Sequence, residues 1–205
     1  MEDKIIITIG REYGCGGRSV AEAAGRMLGI PVYDNDLLTQ AAADNGFSMD
    51  MFKKRDEKRH LFSLSALFSS PQSNTTNYLS DNALFQMQSE TIKSIAAKGS
   101  CIIVGRCADY ILRGEPDILK VFLTAPLEER IRRTMDRIGV DEETARKIIA
   151  RKERNRINYY NGYTLGKWGY ASTYDLCLNT SLLGIEGSAE VIVDFARKII
   201  EKKTK

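Results

Sequence analysis

The chain has 205 residues, enough for one domain of ordinary size with small inserted lobes. Hydrophobic residues make up 43% and charged residues 28%, which excludes wholesale disorder, and no apolar run is long enough to span a membrane. Thirty Lys and Arg against 27 Asp and Glu leave a net charge of +3, too weak to argue for nucleic acid on its own.

A single histidine, His60, nearly excludes a His-based metal site or a Ser-His-Asp triad. The cysteines, Cys15, Cys101, Cys107 and Cys177, form no CxxC and read as free thiols in a reducing compartment. The N-terminal apolar run is too short for a signal peptide, so a cytoplasmic location is expected.

Lys4 to Ile9 is a β-branched apolar run that suits a strand buried on both faces. A glycine-rich turn follows, Gly10 to Gly17. Ser19 to Leu28 then reads as a helix, with Gly29 as its stop and Pro31 just beyond. Val32-Tyr33 is a second strand, ending at Asp34. Helical stretches near Leu37–Asn45 and Ala83–Ala97 flank a polar middle, Ser69–Asn77, that reads as a loop. Cys101–Val104 and Leu119–Leu123 are further strands. Leu127–Ile138 is an amphipathic helix with acids first and arginines later, the order favoured by the helix dipole. Asp141–Asn158 is a basic helix, and Tyr159–Thr173 is rich in glycine and aromatics. Asp175–Leu178 is a last strand and Ala189–Lys202 a closing helix.

Short apolar strands alternating with helices predict a five-stranded parallel sheet covered on both faces, an α/β three-layer fold. Ligands of such sheets sit beyond the carboxyl ends of the strands. Gly10–Gly17, Asp34, Gly105-Arg106 and Asn179 all fall there.

Arg11-Glu12-Tyr13-Gly14-Cys15-Gly16-Gly17-Arg18-Ser19 has the place and glycine content of a phosphate-binding loop. Small residues let the backbone curl so that its N–H groups face phosphate oxygens. Against the pattern G-x-x-x-x-G-K-[ST], Arg11 replaces the first glycine and Gly17 the lysine. Ser19 sits one residue past the usual hydroxyl. The plainer alternative is a tight strand-to-helix turn without a ligand. Cys15 reads as a small filler rather than an activated thiol.

These segments, with Val32-Tyr33-Asp34, Ile103-Val104-Gly105-Arg106, Glu128-Glu129-Arg130, Glu153-x-x-Arg156-x-x-Tyr159, Trp168-Gly169 and Tyr174-Asp175-Leu176, resemble the cytidylate kinase-like family over nearly the whole chain. The resemblance implies the P-loop nucleoside monophosphate kinase fold. It implies a core of residues 1–36, 99–138 and 171–205, an acceptor-binding insertion at 37–98 and a lid at 139–170. The implied reaction moves the γ-phosphoryl group of ATP, with Mg²⁺, to CMP, dCMP or a related small acceptor. Nucleic acid and membranes are not expected partners.

On this resemblance Gly14, Cys15, Gly16, Gly17 and Arg18 hold the β-phosphate, and Ser19 stands near Mg²⁺. Arg18, or Arg11 folding back, replaces the lysine charge. Asp34 lies near the reacting phosphates, or is simply a helix N-cap. Arg106 contacts the acceptor, or forms an ion pair with Asp109. Glu153 and Arg156, three apart on one helix face, match the lid pattern, with Arg156 as the charge clamp and Arg151 and Arg154 in reserve. Tyr159, Tyr160, Tyr163 and Trp168 stack on a base or pack the lid. Two departures stand out. The lysine is missing, and so is the arginine of the D-S-G-x-x-Y-R stretch, here Asp34 to Gln40. They keep a second reading open, a nucleotide-binding regulatory module with weak or no kinase activity. The +3 also hides an uneven distribution. Residues 130–156 hold ten Lys and Arg and five acids, a net +5, so the rest of the chain is net acidic.

Overall fold

The computed structural model describes residues 4–38 and 76–203. In chain order these contain β1 (Ile6–Arg11), α1 (Gly17–Leu28), β2 (Val32–Tyr33), α2 (Thr76–Lys98), β3 (Cys101–Val104), α3 (Ala108–Ile111), β4 (Ile118–Thr124), α4 (Leu127–Ile138), α5 (Glu142–Tyr163), β5 (Leu176–Asn179) and α6 (Thr180–Lys203).

The strands form one parallel sheet in the order β2-β3-β1-β4-β5, so β1 lies at its centre. Residue alternation explains the two faces. Ile7 and Ile9 of β1, with Ile102 and Val104 of β3, pack on the side covered by α1 and α6. Ile6, Cys101 and Ile103 point the other way, against Ile92, Ile95 and Ala96 of α2 and Leu112 just after α3. A strand covered on both faces favours apolar residues at successive positions, which is why β1 is rich in isoleucine, with Thr8 its buried polar exception.

Helix α1 lies close to the sheet because Gly25 has no side chain. A Cβ there would overlap the Val32 side chain and stand 3.1 Å from the Ile30 carbonyl oxygen. Gly25→Ala is therefore expected to destabilise the fold by about 1–3 kcal/mol through overpacking. This holds although alanine is the better helix former by about 1 kcal/mol. Urea denaturation checks it, and a midpoint at or above that of the unaltered protein would contradict it.

Several boundaries differ from expectation, most by one or two residues and some by more. Helix α5 runs to Tyr163 rather than Asn158, because Tyr159, Tyr160 and Tyr163 find ring or hydroxyl partners on its last turns. Helix α6 starts at Thr180 rather than Ala189, with a non-helical kink at Gly184 that breaks the sequence periodicity. The expected Ser69–Asn77 loop lies outside the described residues except for Thr76 and Asn77, which open α2. Of the helix expected at Leu37–Asn45, only Leu37 and Leu38 are described, and both are helical. Among the described residues no helix is long and apolar enough to cross a membrane.

Candidate active site

Strand β1 delivers the chain to Arg11, and the Glu12 amide continues the sheet by donating to the Leu123 carbonyl at 3.0 Å. The loop then turns through Gly14 (φ 85°) and Gly16 (φ 82°), left-handed conformations that only glycine adopts without strain. Neighbours also crowd both positions. A Cβ on Gly14 would lie 2.8 Å from the Arg130 carbonyl, and one on Gly16 would lie 2.5 Å from Ile185 Cδ1. Helices α4 and α6 thus press on the loop and fix its curl. Arg133 Nη1 and Thr180 Oγ1 both donate to the Cys15 carbonyl, at 2.7 and 2.6 Å. Cys15 itself is fully buried, and burial pushes its thiol up, so it fills space.

Helix α1 begins without a side-chain cap and without an acid in its first turn. Its partial positive charge is left facing the loop. Ser19 is exposed on that first turn.

Three arginines approach from separate elements. Arg11 ends β1. Arg106 follows β3 in a run of three left-handed residues, Gly105 (φ 82°), Arg106 (φ 56°) and Cys107 (φ 55°). Non-glycine residues held this way cost about 1–3 kcal/mol each, and such strain gathers at functional sites. Arg156 comes from α5 and donates from Nη1 to the Arg11 carbonyl at 2.7 Å. Burial, then the charges of Arg156 and Arg106, push the Arg11 guanidinium down to about 9. Burial lowers Arg156 as well. Cations crowded into a low-dielectric corner are relieved by an anion.

Asp34 is divided between two tasks. Its Oδ1 accepts from the amides of Asp36 and Leu37, at 3.1 and 3.2 Å, as a helix cap does. Its Oδ2 pairs with Arg18 Nη1 at 3.0 Å. The Arg18 side chain is 63% exposed and also pairs with Glu22. Asp34 is thus a helix cap that also pairs with Arg18.

A second charged cluster ties the lid helix to the loop. Glu153 accepts the Tyr13 amide. Arg130 of α4 lies 3.5 Å from Glu12 and 3.9 Å from Glu153. Glu12 also accepts from the Thr124 hydroxyl. Arg137 donates to the Tyr13 hydroxyl at 2.7 Å, and Arg156 lies 5.4 Å from the centre of the Tyr13 ring. Glu153 and Arg156 therefore meet the loop together, whereas Arg151 and Arg154 are exposed.

The lid aromatics pack against protein. Tyr163 stacks on Phe85 of α2 at 4.3 Å, and the Tyr159 hydroxyl donates to Gln88 at 2.8 Å. Arg106 lies 5.4 Å from the centre of the Tyr159 ring. Trp168 meets Phe122 edge-on. Asp109 accepts from the Tyr160 hydroxyl at 2.7 Å, and burial raises its carboxyl. Glu12 and Arg130 fall within the quoted sequence segments without being assigned these contacts, and nothing in the sequence pattern singles out Arg133, Arg137 or Gln88.

The model of the cytidylate kinase-like family matches residues 6–182, from β1 through the start of α6. The chain belongs to the cytidylate kinase-like family. A cytidylate kinase from Methanopyrus kandleri is 28% identical over 187 residues, which cover 86% of this chain and 85% of that one. A crystal structure of an uncharacterized protein from Eubacterium ventriosum matches with a TM-score of 0.73 and 28% identity, covering 95% and 99% of the two chains. Shikimate kinase from Bacteroides thetaiotaomicron matches with a TM-score of 0.55 at 14% identity, covering 94% and 98%, and shows the shared fold. The α/β P-loop kinase fold and the place among nucleoside monophosphate kinase-like phosphotransferases follow from the family and the sheet order together.

Proposed function

We propose that the protein transfers the γ-phosphoryl group of ATP to a nucleoside monophosphate of the CMP or dCMP kind. The convergence of Arg11, Arg106 and Arg156 at the carboxyl ends of the central strands carries this reading. Burial and the nearby charges of Arg156 and Arg106 disfavour the charged form of Arg11, and the negative charges of a polyphosphate relieve this. Phosphoryl transfer asks for positioning and positive charge more than for covalent chemistry.

The loop suits the triphosphate. Its two left-handed glycines curl the backbone and the start of α1 carries no side-chain cap, an arrangement that favours phosphate oxygens. Ser19 and Asp34 are the oxygen donors beside it. Among the described residues no cluster of three or more His, Cys, Asp and Glu stands ready to hold a metal alone. That suits Mg²⁺, which takes one or two protein oxygens and otherwise water and phosphate. When bound, Mg²⁺ neutralises charge on the phosphate oxygens.

Arg106, beside the Tyr159 ring, serves the acceptor. Arg156 joins the lid to the loop at Arg11 and is placed to hold charge that develops on the transferred group. Residues 37–98 serve as the acceptor lobe and 139–170 as the lid.

The test is product formation from ATP and Mg²⁺ across the nucleoside monophosphates. Turnover is expected to be greatest with CMP or dCMP. ATP binding without turnover on any monophosphate would replace this reading with that of a nucleotide-binding regulatory module, the alternative that Gly17 keeps open.

A further inference from the structure

We propose that Arg11 is the phosphate-binding cation of this loop, and that Gly17 and Gly105 are glycines so that its side chain can lie across both. This rests on the phosphotransferase reading and names the group that serves the triphosphate site.

A P-loop ordinarily sends a lysine from the position of Gly17 to the phosphates. Here the cation comes from the opposite side of the loop. A Cβ on Gly17 would stand 2.9 Å from both Cβ and Cγ of Arg11. A Cβ on Gly105 would fall on Arg11 Nη1 and stand 3.0 Å from its Cζ. The arginine stem thus fills the space where a lysine side chain would begin. Its guanidinium rests over the left-handed turn that leads into Arg106. The Arg156 guanidinium meets its backbone carbonyl at 2.7 Å.

Arg18 is the rival, being adjacent to the missing lysine in sequence. It points outward, pairs with both Glu22 and Asp34, and is 63% exposed. A partly buried planar guanidinium can bind two phosphate oxygens at once, whereas an exposed one already paired with carboxylates gains less.

A lysine at position 17 and an arginine at position 11 therefore exclude each other, but exchanging them should restore an ordinary loop. The test is isothermal titration of the full chain with inorganic tripolyphosphate and with ATP, with no acceptor present. Arg11→Met is expected to weaken tripolyphosphate binding tenfold or more, and Arg18→Ala by less than threefold. Gly17→Lys alone is expected to weaken it, since lysine and Arg11 contend for one space. The double variant Arg11→Gly with Gly17→Lys should return to within about fivefold of the unaltered protein.

A thermal melt of each variant supplies a second readout. Arg11→Met should melt at or above the unaltered protein, because it removes a partly buried cation near two others. Were Arg11→Met not to fold, Arg11→Gln carries the same expectation for binding. Undiminished tripolyphosphate binding by Arg11→Met, or tighter binding by Gly17→Lys alone, would overturn the assignment. So would a double variant as weak as Arg11→Met. An unaltered protein that binds ATP but transfers nothing would fail the kinase reading while leaving Arg11 in place. One that binds neither ATP nor tripolyphosphate would overturn both.

Discussion

Arg156→Ala is expected to lower turnover by about 100- to 1,000-fold, the usual cost of removing one donor aimed at charge that develops in a transition state. Arg156 is partly buried, burial holds its guanidinium below its ordinary value, and its Nη1 lies 3.7 Å from the Glu153 carboxylate. What disappears is the donation to the Arg11 carbonyl, the ion pair with Glu153 and a positive charge where lid and loop meet. Glu153 still accepts the Tyr13 amide and still faces Arg130, so the lid helix stays attached. The loss should fall more heavily on kcat than on ATP affinity or melting temperature. Steady-state kinetics beside a calorimetric titration separates these. A kcat within threefold of the unaltered value would remove Arg156 from the chemistry.

Arg130→Met should act on stability instead. The Arg130 side chain is 12% exposed and lies between two acids on different elements, Glu12 of the loop and Glu153 of α5. Its Nε and Nη1 atoms have no hydrogen-bond partner among the described residues, so its attraction to the carboxylates is mainly coulombic. Methionine matches much of its volume but leaves both acids without that charge. Breaking a buried pair from one side costs about 3–5 kcal/mol. For a chain of this size that lowers the melting temperature by roughly 10 °C.

The pH dependence has a definite sign. Burial raises the Glu153 carboxyl, and losing Arg130 raises it further. A protonated Glu153 needs no cation. The deficit of Arg130→Met should therefore be greatest at neutral pH and shrink as pH falls toward the ordinary carboxylate range. Adding Glu153→Gln to Arg130→Met should recover part of the loss, which a double-mutant cycle measures. A deficit that does not change with pH would show that packing rather than charge holds Arg130 there.

Much of the fold and part of the site are legible in the amino-acid sequence, for reasons that differ by element. The isoleucine-rich run of β1 and the glycines after it define a strand and a curled loop locally, and such local patterns can be read from the residues alone. Glu153 and Arg156 share a helix face by their spacing. The partners of those groups are another matter. Thr180 reaches Cys15 across 165 positions, and Arg156 reaches the Arg11 carbonyl across 145. No periodicity encodes such pairings.

The choice between Arg11 and Arg18 likewise turns on which way a side chain leaves the backbone. Arg18 begins a helix and points to water and acids. Arg11 ends the central strand, where a side chain must enter the protein. The ends of α5 and α6 escape the sequence pattern for related reasons. Tyr159 and Tyr163 become helical through a ring partner, Phe85, on another element, and the Gly184 kink divides one helix into two patterns.

The course of the Arg11 side chain has an evolutionary corollary. Residues 11, 17 and 105 occupy one shared volume, although 94 positions separate the first from the last. They should change together or not at all. Homologues with arginine at the first position should carry glycine at both others. Those that regain a lysine at the second should have lost the arginine. This triplet is a signature by which lysine-less loops of this construction can be told from P-loops that have merely decayed.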